Sequence, residues 1–299
     1  MPTSPDAPTR APSSNSRRRG FHQGPRLSGA LALALVLAGL VGVVPAGAST
    51  YRASAADVTA TLSYQGSYPT ARHTTLTISR AGREVYHGAV RASLCGDLCW
   101  PAPTYGPGSA NPLRVVGLRA GSPDVVLGLY SGGAHCCFVM EVFAPSSTSR
   151  YAMTEVDLGD PGGRLEVLPG SPFAAIVTAD DTFAYAFTDF AASGLPLQIL
   201  RFNGHGVTNV TRQYPSLLRA DAAGWLAAFY AQASSHYRDS VGVIAAWAAD
   251  QYLLGRARAA DLFLGQQARA GHLNSLLNPA VHATVFVAHL ETFLVRAGY

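Results

Sequence analysis

The string Ser131-Gly132-Gly133-Ala134-His135-Cys136-Cys137 sets an imidazole beside two thiols, and Cys95-Gly96-Asp97-Leu98-Cys99 holds the other two cysteines of the chain. Imidazole and thiolate together suit zinc or copper(I), and a thiolate beside His135 can serve as a nucleophile. Both chemistries need reduced sulfur. Four cysteines in an exported chain are read first as two disulfides, with Cys95, Cys99, Cys136 and Cys137 as structural staples. Neighbouring strand residues point to opposite faces, so a bond between Cys136 and Cys137 needs an unusual backbone. The favoured pairing is therefore two long-range bridges from the Cys95 segment to the strand at Cys136. The remaining one joins Cys95 to Cys99 and Cys136 to Cys137. Ser131 does not sit in a nucleophile elbow, because Leu129 stands two residues before it where that motif requires Gly.

Two acidic segments offer other chemistry. Asp157, Asp160 and Glu166 lie in Asp157-Leu158-Gly159-Asp160-Pro161-Gly162-Gly163-Arg164-Leu165-Glu166. Carboxylates in a Gly-rich loop are calcium-type ligands, although the spacing is not that of an EF-hand and Pro161 and Arg164 replace ligand positions. Asp180 and Asp181 can divide general acid and base work, with His135 nearby; a solvated turn at a strand end is the structural alternative. The histidines at 73, 87, 205, 236, 272, 282 and 289 show no H-E-x-x-H spacing and are read as surface or packing residues.

These groups must be held by elements, and the chain changes texture once. From about residue 59 to 212, short β segments alternate with Gly, Pro, Ser and Asp: a hairpin at 74–86, then runs at 113–117, 125–130, 137–143, 151–156, 165–168, 174–178, 183–187, 197–202 and 207–210. From Pro215 onward the sequence is rich in Ala, Leu and Arg. It predicts helices at 220–233, at 241–254 with Ser240 as cap, at 259–270, and a fourth with Pro279 in its first turn. Trp225, Phe229, Trp247 and Phe293 are placed in the helical core. The fold class is α+β: a β-rich part over 49–215, as a partial propeller-like repeat or a sandwich, followed by about four helices over 216–299. No linker separates them, so the two are read as linked layers. Gly121-Ser122-Pro123 and Gly170-Ser171-Pro172, 49 residues apart, hint at a repeat with a propeller-blade period.

Charge and the N-terminus bound the location. The formal net charge is +4, all 22 cationic residues are Arg, and five of them with one of the 18 acids precede residue 49, leaving 17 of each sign beyond it. A body with no cationic excess gives no footprint for nucleic acid. Residues 27–44 form an apolar run after Arg17, Arg18, Arg19 and Arg26 and end in Ala46-Gly47-Ala48, the three parts of a signal peptide over 1–48 cleaved before Ser49. Arg18-Arg19-Gly20-Phe21 also fits the centre of a twin-arginine signal. No later stretch is long and apolar enough to be read as a membrane span, so an extracellular, secreted protein is expected.

The strings Ser131 to Cys137, Asp181-Thr182-Phe183-Ala184-Tyr185-Ala186-Phe187 and Val210-Thr211-Arg212-Gln213-Tyr214-Pro215 together resemble a group of uncharacterised exported bacterial proteins, and more loosely the FG-GAP or VCBS β-repeat type. The resemblance implies an extracellular β-repeat scaffold and carries over no catalytic residue. The expected function is a secreted, disulfide-stapled scaffold or binding module acting on an unidentified cell-surface or extracellular ligand, with no cofactor unless calcium binds. The alternatives are an extracellular hydrolase using Asp180 or Asp181, and a metal-binding protein using His135, Cys136 and Cys137.

Overall fold

The computed structural model describes residues 48–103, 111–233, 239–273, 275 and 282–299. The expected export signal, apart from Ala48, and the expected roles of His236 and Pro279 lie outside them. The described residues form one compact unit.

Three antiparallel sheets follow one another along the sequence. The first is the meander β1 (Ala48–Ala55), β2 (Val58–Ser67), β3 (Thr70–Arg80) and β4 (Arg83–Ala89). In the second, β5 (Trp100–Pro101) and β6 (Leu113–Val116) both pair with β7 (Asp124–Gly133), which continues into β8 (Cys136–Ser147) and β9 (Arg150–Gly159). The third is β10 (Arg164–Val167), β11 (Ala174–Ala179), β12 (Leu197–Phe202) and β13 (Val207–Asn209). The period-two alternation of strands sorts their side chains between layers. Val58, Ala60, Leu62, Leu76 and Ile78 of the first sheet pack on Val125, Leu127, Leu129, Val139 and Phe143 of the second. Val126, Met140, Val142 and Ala144, on the opposite face of the second sheet, pack on Ile176, Leu200 and Phe202 of the third. The middle sheet is thus buried on both faces, which explains why residues 125–129 read as a continuous apolar run. The expected α+β class, a β-rich part followed by helices, is what forms; the β part is a stack of three sheets and not a closed barrel.

Helices α1 (Pro215–Ala233), α2 (Val241–Leu253), α3 (Ala257–Arg269) and α4 (Ala283–Ala297) complete the fold. Residues of α1 to α4, Trp247, Phe229, Phe286 and Leu290 among them, share a core with Phe183 and Phe187 from the loop after β11. Pro215 opens α1, where a missing N–H costs nothing. Arg212 donates to the carbonyls of Tyr252, Leu253 and Gly298, satisfying the ends of α2 and α4 together. Ser240 precedes α2 but does not cap it through its side chain; its hydroxyl donates to the His272 carbonyl instead.

One expected strand is not a strand. The Asp180 carboxylate accepts from the backbone and hydroxyl of Thr182, which folds Asp181–Phe183 into a single 3-10 turn. Phe183 and Phe187 then enter the helical core instead of alternating across a sheet. The short repeat does have a structural meaning: Gly121 (φ 112°) and Gly170 (φ 86°) turn the chain into β7 and β11, the second strands of successive sheets.

Candidate functional site

Because β2, β7 and β11 hold equivalent places, the loops that follow them meet on one rim of the stack. Gly132 in the β7–β8 turn lies against Pro69 after β2, within 3.7 Å of where a Cβ would stand. His135 stacks on Phe190 in the loop after β11, with ring centroids 4.3 Å apart, and faces Tyr185 edge-on at 6.3 Å. Ser131 staples the turn by accepting from the Cys137 N–H at 2.8 Å.

Between the second and third sheets this rim opens into a cleft of about 290 Å³ lined by Cys137, Asp157, Gly159, Thr178, Asp180 and Asp181, among others. Asp160 donates its N–H to Asp181 Oδ1 at 3.4 Å, and the Asp157 carboxylate accepts from the Gly159 N–H at 3.0 Å. Burial first, then the charges of Asp160, Asp157 and Asp180, hold the Asp181 carboxyl above its ordinary range, against the lowering effect of the Asp160 N–H. Gly159 (φ 61°) lies directly beneath the Asp181 carboxyl, and any side chain there would collide with it. The cleft therefore gathers acceptor groups that lack a cation partner among the described residues.

The structure separates the two aspartates that sequence treats as a pair. Asp180 is 9% exposed; its Oδ1 accepts from Thr182 and its Oδ2 from the Tyr299 hydroxyl at 2.6 Å. Both oxygens are engaged in holding the loop and the C-terminal residue. Asp181 remains turned to the cleft. Among the described residues His135 makes ring contacts and no hydrogen bond to either aspartate. Glu166 is drawn away from Asp157 and Asp160 by an ion pair with Arg164 at 2.9 Å on β10. No group of three or more His, Cys, Asp or Glu side chains among the described residues is arranged to hold a metal ion.

The favoured cysteine pairing is corrected. Cys95 bonds to Cys99, their Cα atoms 5.3 Å apart, because residues 92–99 fold back on themselves: the N–H groups of Cys95 and Gly96 both donate to the Ala92 carbonyl. Cys99 enters the core between the first two sheets, whereas Cys137 faces the cleft toward the third, so the middle sheet stands between them. Cys137 is also disulfide-bonded, and no described cysteine is free, which removes the thiolates that the metal and nucleophile readings require. The side chain of Cys136 lies outside the described residues. Non-reducing peptide mapping is expected to find Cys95 joined to Cys99 within one peptide. A peptide joining residues 95–99 to 136–137 would contradict this arrangement.

Several influential residues gave little signal in the sequence. Glu141, Asp124 and Asp250 are 0 to 1% exposed; each is a lone acid inside an apolar run, which was the available sign. Gly194 and Gly242 permit a backbone contact between the cleft loop and α2 that no local pattern announces.

No protein-family model matches the chain, and no solved structure does. The chain is 22% identical over 188 residues to an uncharacterised protein of Sinorhizobium fredii, covering 62% of this chain and 28% of that protein. It is 25% identical over 193 residues to a "probable thylakoid lumen protein" of Synechocystis, covering 59% of this chain and 56% of that one. The chain thus spans about a quarter and about half of these two relatives. Among the described residues no helix is long and apolar enough to cross a membrane.

Proposed function

We propose that this protein is an exported, disulfide-stabilised binding module that takes its ligand in the cleft where the loops of the second and third sheets meet. The observation that carries the reading is the cleft itself: Asp157 and Asp181 line it with backbone N–H partners and no cation partner among the described residues, while Asp180 is consumed by structure and His135 by aromatic contacts. Such a lining favours a ligand rich in hydrogen-bond donors or positive charge, and the exposed ring of Tyr185 beside Phe190 adds a stacking surface. Export is supported by the signal-like N-terminus, by the disulfides and by the relative named for the thylakoid lumen. The S-G-G-A-H-C-C string acts in this reading as the hairpin that builds one wall of the cleft. The test is capture from the producing organism's envelope and culture fluid on immobilised protein, comparing wild type with the Asp157→Asn, Asp181→Asn double variant. Release of a cleaved product instead of a retained ligand would favour the hydrolase.

A further inference from the structure

The helical layer contains a second acidic feature that the cleft does not use. Asp250, in the last turn of α2, is completely buried, and neither of its carboxyl oxygens has a hydrogen-bond donor. Its charged neighbour is Asp221 of α1, close enough for a carboxyl–carboxyl hydrogen bond once one of the two carries a proton. Asp221 Oδ2 already accepts from the Leu197 N–H and the Trp225 indole N–H, both at 2.9 Å. Asp221 Oδ2 is thus already supplied with donors, whereas the buried Asp250 carboxyl has none. Asp221 is half-buried beside Leu197, whereas Asp250 has no exposed surface, so a charge on Asp250 has neither water nor a donor to stabilise it.

Among the described residues the surroundings supply no cation to the pair. From the C-terminus comes Tyr299, whose hydroxyl is given to Asp180. From α3 comes Asp261, which accepts from the Tyr252 hydroxyl at 2.7 Å. Arg212, below the end of α2, spends its N–H groups on carbonyls. None of the ion pairs among the described residues includes Asp221 or Asp250.

The position of the pair gives it a mechanical role. Leu197, held by Asp221, begins β12 and ends the loop 180–196 that walls the cleft. Asp180, at the start of that loop, donates its own N–H to the Pro196 carbonyl. Gly194 lies against Gly242 and Ala246 of α2. We propose that Asp221 and Asp250 share one proton, and that this proton latches α1 and α2 to the loop that walls the cleft. Loss of the proton leaves a charged, fully buried Asp250 beside Asp221, and Asp250 gains hydration when α1 and α2 draw apart near Leu197. Burial first, and then the charge of Asp221, push Asp250 up to about 9. A folded value above the unfolded one means that the latch is at full strength below the ordinary Asp range and weakens as the pH rises toward 9. The proposal stands whether or not the cleft binds a ligand.

Trp225 reports on the latch directly. The full chain is labelled with 5-fluorotryptophan, and its fluorine resonances are followed from pH 6 to 10, with Trp100 as an internal reference. The Trp225 resonance is expected to shift in a single step near pH 9. Asp250→Asn, which keeps a donor toward Asp221 but cannot ionise, is expected to abolish that step. Glu141→Gln, remote from the pair, is expected to leave it unchanged. A Trp225 resonance that stays flat in the wild type would overturn the proposal without need of any variant. So would a step that survives in Asp250→Asn, or one that disappears on adding calcium or magnesium, which would make the occupant a metal ion. Should Asp250→Asn fail to fold, Asp250→Leu, which also removes the ionisable group, takes its place under the same criteria.

Discussion

Gly242→Ala is expected to lower the thermal midpoint by roughly 6–12 °C, from a loss of about 3 kcal/mol at about 2–4 °C per kcal/mol for a unit of this size. In an ordinary helix the same change is stabilising, by up to about 1 kcal/mol. Here the added methyl would overlap the Ala192 carbonyl oxygen and stand 2.9 Å from the Ser193 Cα, both backbone atoms with nowhere to move. Gly194 faces back from the loop, with its absent Cβ 2.9 Å from the Val243 Cα and 2.8 Å from the Gly242 carbonyl oxygen. Two missing side chains thus let the cleft loop lie backbone to backbone on the first turn of α2. Gly224→Ala in α1 is the matched control, since nothing lies within 4 Å of its Cβ position. Differential scanning calorimetry should separate the two variants in opposite directions. If Gly242→Ala behaves like Gly224→Ala, the close approach of loop and helix is wrong.

Glu141→Gln is expected to stabilise the protein at neutral pH. Glu141 is 1% exposed between the first two sheets and lies directly opposite Glu155 in the β8–β9 register. Burial first, then the Glu155 charge, push its carboxyl up to about 8. Glu155 is itself held by the backbone and hydroxyl of Ser93. In the unfolded chain the same group ionises near its ordinary value, so folding takes up a proton between that value and about 8. Stability from this site is complete below pH 4.5 and is lost as the pH rises to 8, which at pH 7 amounts to about 2–3 kcal/mol. Glu141→Gln should recover about that amount in urea titrations at pH 7 to 8 and nothing at pH 4. An equal effect at both ends of the range would show that Glu141 titrates normally.

The sequence reads differently at its two scales. The short apolar β segments at 174–178 and 197–202, and the Gly-Ser-Pro turns before β7 and β11, were legible because most strands pair with their neighbours in sequence. The run 183–187 misled, since Phe183 and Phe187 satisfy a strand pattern as well as the helical core they join. What decided between them was Asp180 turning the chain through Thr182, a side-chain choice outside hydrophobic periodicity. The site was half legible for a similar reason. Asp181, Asp157 and Cys137 stood out as residue types, but their meeting depends on the stacking of two sheets. The distinction between Asp180 and Asp181 depends on Tyr299, more than a hundred residues away. The cysteine pairing failed on the rule that neighbouring strand residues point to opposite faces, which set aside the local pairing; residues 92–99 close on themselves and join Cys95 to Cys99.

The most direct measurement is the capture comparison on the full chain. Wild type is expected to retain a polymer or protein from the envelope or culture fluid that the Asp157→Asn, Asp181→Asn variant retains about tenfold less well or worse, the loss expected when charge-assisted hydrogen bonds become neutral ones. Equal retention by the two proteins, with both shown to be folded, would place the ligand elsewhere and contradict the assignment of the cleft.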